Sequence, residues 1–281
     1  MKKFRRSGRL VDMTNYLIHN PHQLIPLTYF ADRYESAKSS ISEDLTIIKE
    51  MFEDQEIGLL LTVAGASGGV KYIPTASNDE IVVFLEDLCQ KLEDPNRVLP
   101  GGYLYMMDII GNPKLMNEIG RYFATMFANK KVDVIMTMAT KGIPLAYAVA
   151  TYLNVPVCIV RHEHRITEGS LVSINYVSGS SKRIQTMSLA KRSLKEGSNV
   201  LIIDDFMKAG GTVRGMINLV DEFQSNVVGT GVLVEANHQE ERLVDQYISM
   251  TKLSEVNTKD KLVKVEFGNF FEKLKQMKEN E

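Results

Sequence analysis

Cysteine is scarce in this chain, and its scarcity excludes several kinds of structure. The 281 residues include only two cysteines, Cys89 and Cys158, which lie far apart in helix-like and strand-like surroundings. Both are predicted to be buried thiols of a protein in a reducing, cytoplasmic environment. No cysteine spacing typical of zinc or thioredoxin sites occurs. The run His162-Glu163-His164 supplies two histidines without further nearby ligands, so no metal site and no resident cofactor are predicted.

A large net charge and an unbroken hydrophobic run are also missing. The formal net charge is -2, so the overall balance indicates neither nucleic acid nor membrane as a partner. The longest uncharged run, residues 142–160, is interrupted by Pro144, Asn154 and Pro156, and it predicts a helix followed by a strand. The charged first residues are not followed by an apolar segment, which argues against a secretory signal. We therefore expect a cytoplasmic protein.

Positive charge is concentrated at the start of the chain. The first nine residues contain five basic residues and no acidic residue: Lys2, Lys3, Arg5, Arg6 and Arg9. A run of this kind is either a solvated tail or an arm that contacts phosphates. The choice between the two depends on the domain that follows.

Residues 1–74 are predicted to form a small domain of three helices and a hairpin. The predicted elements are a helix from about Leu10, a helix over 27–34, a helix from about Ser36, and strands over 58–63 and 70–73. This order is that of a winged helix-turn-helix DNA-binding domain. The competing interpretation is a helical interaction module with a hairpin.

The third predicted helix carries the candidate DNA contacts. Its start is ambiguous, because Ser36 is a candidate N-cap while Ser40 and Glu43 form a competing capping box. Residues 36–42 are expected to face the major groove, and Lys71 in the hairpin is expected to touch the DNA backbone. The predicted DNA-binding residues are Arg5, Arg6, Arg9, Ser36, Lys38, Ser39, Ser40 and Lys71.

Residues 75–281 are predicted to form an α/β domain with a parallel sheet. Helices and strands alternate after a linker at 74–78 and a Pro-Gly-Gly break at 100–102. The predicted elements are helices over 79–92, 113–129, 144–153, 187–195 and 212–223 and strands over 132–138, 157–160, 200–203 and 227–235. Ligands of such sheets bind at the carboxyl ends of the strands, so the loops after these strands are candidate sites.

The segment over 200–212 is the strongest indication of a ligand. Four apolar residues predict a buried strand, and Gly210, Gly211 and Thr212 predict a turn whose N–H groups surround an anion at a helix N-terminus. Asp204 and Asp205 would repel a phosphate, so they suit hydroxyl groups attached to it, such as those of a ribose. The segment predicts a sugar 5-phosphate site; a strand–turn–helix with solvated acids is the alternative.

Two further segments are candidates for the same site. Thr140, Lys141 and Gly142 follow the strand over 132–138, where a lysine suits a phosphate and a glycine permits close backbone approach. The polar segment over 167–192 is rich in Ser, Thr, Lys and Arg. Its composition is that of a solvated loop, but it also resembles the flexible flap that closes over the substrate in type I phosphoribosyltransferases.

These segments resemble, in the same order, the pyrophosphate loop, the flap and the phosphoribosyl pyrophosphate (PRPP) loop of type I phosphoribosyltransferases. With the N-terminal domain included, the chain resembles the purine operon repressors of Gram-positive bacteria over nearly its whole length. The matching runs are residues 5–9, 34–40, 178–181 and 204–212. The resemblance implies a homodimer that binds double-stranded operator DNA and is released from DNA by PRPP. The residues implied in PRPP binding are Asp204, Asp205, Phe206, Met207, Lys208, Ala209, Gly210, Gly211, Thr212, Thr140, Lys141 and Gly142.

Lys208 departs from the pattern of the enzymes. In the 6-oxopurine phosphoribosyltransferases that the loop resembles, an aspartate at this position assists proton transfer at the base. A cation cannot act as that base and would instead attract a further anion. We therefore expect a transcriptional repressor of purine biosynthesis genes that senses PRPP without catalysis.

Two other hypotheses remain open at this point. An active purine phosphoribosyltransferase with an appended regulatory winged helix would release pyrophosphate from PRPP when a purine base is present. A receptor for a guanine nucleotide such as ppGpp, in competition with PRPP, would use the same loop.

Overall fold

The computed structural model describes residues 4–65, 68–99, 103–163, 169–178, 183–237, 242–257 and 262–279, with side chains as far as residue 276. The chain divides into two compact units, Met1–Ser77 with Tyr152–Asn154, and Asn78–Thr151 with Val155–Glu281. Within the described ranges, no helix has both the length and the apolar composition that a membrane span requires.

The first unit contains three helices and an antiparallel hairpin, in the order that its sequence predicts. The helices are α1 (Arg6–His19), α2 (Leu27–Tyr34) and α3 (Lys38–Asp54), and the strands are β1 (Gly58–Val63) and β2 (Gly69–Pro74). Each helix and the hairpin contribute buried side chains to one core, among them Met13, Phe30, Ile48 and Tyr72. The predicted winged-helix architecture is confirmed.

Neither predicted cap begins α3. The helix starts at Lys38, and Ala37 precedes it without a side-chain hydrogen bond to the helix. The hydroxyl of Ser36 instead donates to a carbonyl oxygen at the end of α2 (3.1 Å) and accepts from Nη1 of Arg9 (3.2 Å). Because Ser36 is committed to the turn and Ser40 lies inside the helix, both capping predictions are wrong.

A buried carboxylate joins α1 to α3. Asp44 is fully buried and accepts hydrogen bonds from Nε of Arg6 (2.9 Å) and Nε of Arg9 (2.5 Å). Burial by itself would raise the pKa of Asp44, but the two guanidinium groups hold that pKa below its ordinary value. Arg6 and Arg9 therefore belong to a helix that is tied to α3, and not to a tail or a flexible arm.

The second unit is built on a six-stranded, mostly parallel sheet, so the predicted α/β class is confirmed. Its helices are α4 (Asn78–Leu92), α5 (Met107–Ile110), α6 (Pro113–Phe127), α7 (Gly142–Leu153), α8 (Gly211–Glu222) and α9 (Phe270–Glu279). Its strands are β3 (Val98–Leu99), β4 (Tyr103–Leu104), β5 (Val134–Met138), β6 (Val157–Val160), β7 (Leu171–Val177), β8 (Ile184–Ala190), β9 (Asn199–Met207), β10 (Asn226–Ala236), β11 (Ile248–Asn257) and β12 (Leu262–Phe267).

The strand order places the candidate loops side by side. The sheet runs β12-β11-β10-β9-β5-β6, with every neighbouring pair parallel except β11 and β12. The sequence predicts neither these two strands nor α9, so the sheet is larger than expected and has one antiparallel edge. Because β5 and β9 are parallel neighbours, the loops after them lie at the same edge of the sheet.

The predicted helix over 187–195 is wrong. Residues Ile184–Ala190 form β8, which pairs antiparallel with β7 in a hairpin. Met187 and Leu189 are both buried, and a spacing of two residues suits a strand. The end of the Met187 side chain lies against Gly215 of α8. Pairing with β7 and packing on α8 therefore decide the conformation of this segment.

We predict that Asp44→Ala lowers the free energy of unfolding of the first unit by about 3 kcal/mol, because the mostly buried Arg9 guanidinium loses its partner. Asp44→Asn keeps the side-chain volume and should cost less. Since folding lowers the pKa of Asp44, its contribution is complete above the ordinary value of 3.8 and is lost as the pH falls through the folded value. Hydrogen exchange of α1 and α3 amides in increasing urea measures the change.

The matched control is Glu53→Ala in the same helix. Glu53 pairs with Lys49 at 3.7 Å, but both side chains are about half exposed, so the loss should stay below about 0.5 kcal/mol. Equal losses in the Asp44→Ala and Glu53→Ala variants would contradict the structural role assigned to Asp44.

Candidate effector and DNA-binding sites

The turn after β9 and the first residues of α8, residues 208–212, form what we call the anion loop, which borders a cavity of about 120 Å³. Gly210 has a φ of +82°, a conformation that favours glycine, and α8 begins at the next residue. The backbone donors of a helix N-terminus and the positive end of the helix dipole favour an anion here. The lining residues are Tyr103, Ser178, Phe206, Met207, Lys208, Ala209, Gly210, Gly211, Thr212 and Val213.

Two carboxylates lie on β9 just before this turn, although neither lines the cavity. Asp204 is only 5% exposed, and Asp205 is somewhat less buried. Burial and the charge of Asp205 raise the pKa of Asp204 well above its ordinary value. Burial also raises the pKa of Asp205, and the positive charge of Lys141 opposes that rise. Carboxylates perturbed in this way, beside an anion cradle, are typical of binding sites.

The loop after β5 packs directly against these carboxylates. Thr140 and Lys141 follow the strand, and α7 begins at Gly142. A Cβ atom on Gly142 would lie 2.3 Å from Oγ1 of Thr137 and 2.7 Å from Oδ1 of Asp204, so this approach requires glycine. The peptide bond between Ala139 and Thr140 is cis. The two predicted ligand segments thus meet in the fold.

The segment predicted as a flap contains the β7–β8 hairpin, which packs on α8. The Tyr176 ring lies against Gly215, and its hydroxyl group donates a hydrogen bond to Oε1 of Gln185 on β8 (2.8 Å). Ser178, at the end of β7, lines the cavity. Residues 164–168 and 179–182 lie outside the described residues, so most of the matching run 178–181 does too.

The candidate metal run is only partly described, because His164 lies outside the described residues. The ring nitrogen Nδ1 of His162 lies 3.0 Å from the carbonyl oxygen of Thr186, which is a hydrogen-bonding contact to the hairpin. Among the residues that the structure describes, no group of three or more potential metal ligands occurs.

The predicted site residues include neither Tyr103 nor Thr137. Tyr103 lines the cavity, and Nζ of Lys208 lies 5.8 Å from the centre of its ring, a cation–π geometry. The buried hydroxyl of Thr137 has no hydrogen-bond partner among the described residues and stands against Gly142. No local sequence pattern connects Tyr103 to residues 206–213, which lie about a hundred residues later in the chain. Thr137 could have been noticed, because it is a polar residue in the otherwise apolar strand β5.

The predicted DNA contacts in the first unit lie on α1, on α3 and the turn before it, and on β2, apart from Arg5, which directly precedes α1. Arg9 links the beginnings of α1 and α3, because it binds both Asp44 and Ser36. Its side chain is 13% exposed, against 54% for Arg6. The exposed candidates are Arg5, Arg6, Lys38 and Ser39, and the partly buried ones are Arg9, Ser36, Ser40 and Lys71. Their contact with DNA stays a prediction.

Models of two protein families match the chain. The N-terminal domain of bacterial purine repressors matches residues 5–74, and the phosphoribosyl transferase domain matches residues 107–267. Among solved structures, the adenine phosphoribosyltransferase of Thermoanaerobacter pseudethanolicus is similar over 60% of this chain and 99% of that chain, with a TM-score of 0.52 and 20% sequence identity. This likeness shows the fold of the second unit and no more.

Curated relatives extend the match to the whole chain. The purine biosynthesis transcriptional repressor PurR of Bacillus subtilis is 66% identical over 95% of this chain and 94% of its own length. The purine biosynthesis transcriptional activator PurR of Lactococcus lactis subsp. lactis is 45% identical over 95% of this chain and 98% of its own. A xanthine phosphoribosyltransferase of the same organism is 32% identical over 51% of this chain and 74% of its own. This chain therefore belongs to the family of bacterial purine repressors.

Proposed function

We propose that this protein is a DNA-binding transcriptional repressor of purine biosynthesis genes and that PRPP, bound by its second unit, releases it from operator DNA. One observation carries the proposal: the chain joins a winged helix to an anion loop of the phosphoribosyltransferase type. In this loop Lys208 occupies the position at which the enzymes have the aspartate that assists proton transfer. Relatives of the family are named both repressor and activator. The greater identity to the protein named a repressor supports repression.

Each chemical group of PRPP has a suitable set of residues in the candidate site. The backbone N–H groups at the start of α8 and the hydroxyl of Thr212 suit the 5-phosphate. The ribose hydroxyls suit Asp204 and Asp205, which stand beside the cradle and would repel a second phosphate. Lys141, on the adjoining loop, suits the diphosphate. The second unit is proposed to bind PRPP through these contacts.

Lys208 separates binding of PRPP from catalysis. Its ammonium group cannot accept a proton from a purine base, and it lies near the ring of Tyr103 at the cavity. A cation there strengthens anion binding without activating a nucleophile. Two aromatic residues, Tyr103 and Phe206, are among those that line the cavity, which suits stacking of a purine. We therefore propose that a guanine nucleotide such as ppGpp competes with PRPP.

The first unit supplies the proposed DNA contacts. The exposed start of α3, with Lys38 and Ser39, suits insertion into the major groove, and Lys71 on β2 suits the wing contact with the backbone. Such domains bind paired half-sites, so we propose a homodimer on double-stranded operator DNA, acting in the cytoplasm.

We predict that Asp204→Asn combined with Asp205→Asn lowers PRPP affinity at least tenfold, because hydrogen bonds from ribose to charged acceptors are removed. The same change should raise the thermal stability of the ligand-free protein at pH 7. Folding raises the pKa of both carboxyl groups, so their ionised forms destabilise the fold above the folded pKa values. This gain should disappear as the pH falls toward 3.8. Calorimetry with PRPP and thermal denaturation measure the two effects.

The control is Asp133→Asn, at the opposite end of β9. The Asp133 carboxylate accepts hydrogen bonds from the backbone N–H and the side-chain amide of Asn199, both at 2.8 Å, and is remote from the cradle. PRPP affinity should be unchanged in the Asp133→Asn variant. Operator affinity should be unchanged in this variant and in the Asp204→Asn, Asp205→Asn double variant. Wild-type PRPP affinity in the Asp204→Asn, Asp205→Asn double variant would exclude the proposed site.

The arginines near the N-terminus should differ in their effect on operator binding. Arg5→Ala with Arg6→Ala removes exposed charges, so the slope of log affinity against log salt should fall by about 0.9 for each phosphate that these arginines neutralise. The ratio of specific to non-specific affinity should change little, because phosphate contacts carry no sequence information and Asp44 keeps Arg9 as its partner. Arg9→Ala should instead lower that ratio, since Arg9 fixes the start of α3 through Ser36 and Asp44.

Fluorescence anisotropy with operator and scrambled DNA at several salt concentrations tests this difference. Identical salt slopes for the wild type and the Arg5→Ala, Arg6→Ala variant would show that these arginines do not contact phosphates.

A further inference from the structure

The chain after β10 returns to the anion loop and packs against it. The backbone N–H of Leu243 donates to the carbonyl oxygen of Ala209 (3.1 Å). Val244 is buried, and its side chain lies 3.3 Å from the position that a Cβ atom on Gly210 would occupy. Ala209 and Gly210 form the turn that presents backbone donors to the cavity. The conformation of this turn therefore depends on where Leu243 and Val244 are held.

An ionic network anchors both ends of this returning segment. Nη1 of Arg242 lies 2.8 Å from Oε2 of Glu235 and 2.6 Å from the hydroxyl oxygen of Tyr247, and Nη2 donates to the carbonyl oxygen of Ala236 (3.0 Å). The Tyr247 hydroxyl donates to Oε2 of Glu235 at 2.5 Å. Burial and the neighbouring carboxylate raise the pKa of Tyr247, so the hydroxyl keeps the proton that it donates.

The network is nearly buried and fixed to the sheet. The side chain of Glu235 is 8% exposed and that of Arg242 is 19% exposed. Glu235 lies in β10 opposite Met207, the last residue of β9 before the anion loop. A guanidinium with three separate partners is held in one orientation, which an ammonium group does not reproduce. Arg242 thus fixes the start of the returning segment relative to the strand that carries the loop.

None of these three side chains lines the cavity, so the network acts through the backbone that it holds. We propose that Arg242, with Glu235 and Tyr247, is a positioning residue of the effector site. It holds Leu243 and Val244 against Ala209 and Gly210, and thereby keeps the anion loop in the conformation that binds a 5-phosphate. This inference rests on the proposed binding of PRPP by that loop. Preorganised donors bind an anion more tightly because they need no rearrangement.

The geometry predicts a selective effect on two halves of the ligand. The returning segment touches Ala209 and Gly210, on the 5-phosphate side, whereas the proposed diphosphate contact is Lys141 on the loop after β5. Arg242→Ala should therefore weaken ribose 5-phosphate binding at least tenfold and inorganic pyrophosphate binding less than threefold. A loss caused only by general destabilisation would weaken both ligands alike.

Calorimetry on the full-length protein, well below its melting temperature, compares both ligands for the wild type, Arg242→Ala, Arg242→Lys and the control Asp133→Asn. Arg242→Lys should recover little of the ribose 5-phosphate affinity, and the control should change neither ligand. Tyr247→Phe, which keeps the ring and removes one hydrogen bond, should show the same selectivity with a smaller loss. It provides the test if Arg242→Ala does not fold.

The outcomes separate this inference from the function on which it rests. Selective loss of ribose 5-phosphate affinity supports the positioning role. Equal losses for both ligands, or wild-type affinity for both, would overturn it while leaving the proposed PRPP site intact. A wild-type protein that binds neither PRPP nor ribose 5-phosphate would remove the proposed site, and this inference with it.

Discussion

The close approach of two loops at Gly142 is the constraint on which the candidate effector site depends. A side chain at this position would overlap Thr137 and Asp204. The loop after β5 can therefore approach the end of β9 this closely only because residue 142 is glycine. That approach brings Lys141 near Asp205 and buries Asp204 in an environment that raises its pKa. The site therefore holds carboxylates at a cost in stability, which a ligand with hydroxyl groups would offset.

Each unit uses a buried carboxylate and arginine behind its binding surface. In the first unit, Asp44 ties Arg6 and Arg9 of α1 to α3, the helix proposed to enter the major groove. In the second, Glu235 and Arg242 hold the segment that supports the anion loop. Removing one member of such a pair costs far more than an exposed pair contributes, so these networks suit fixing geometry. The Glu235–Arg242 network lies outside the cavity proposed to bind PRPP, whereas Arg6 and Arg9 are also predicted to contact DNA.

Local sequence patterns predict the parts of the fold that depend on neighbouring residues. The strand, turn and helix around residues 200–212 are encoded within one short segment, and so are the three helices and hairpin of the first unit. Local patterns do not predict contacts between residues that are distant in the sequence. The segment over 187–195 is a strand because it pairs with β7, Ser36 does not cap α3 because it binds Arg9, and Tyr103 reaches the cavity only through the tertiary fold.

We propose that PRPP and operator DNA bind different units and oppose each other. Linkage requires the effect to be reciprocal, so PRPP affinity should fall in the presence of saturating operator DNA by the same factor by which saturating PRPP weakens operator binding. Titrating the full-length protein with PRPP, alone and bound to operator, measures this factor directly. We expect PRPP to bind the operator complex more weakly than it binds the free protein. Equal PRPP affinity with and without operator DNA would contradict it.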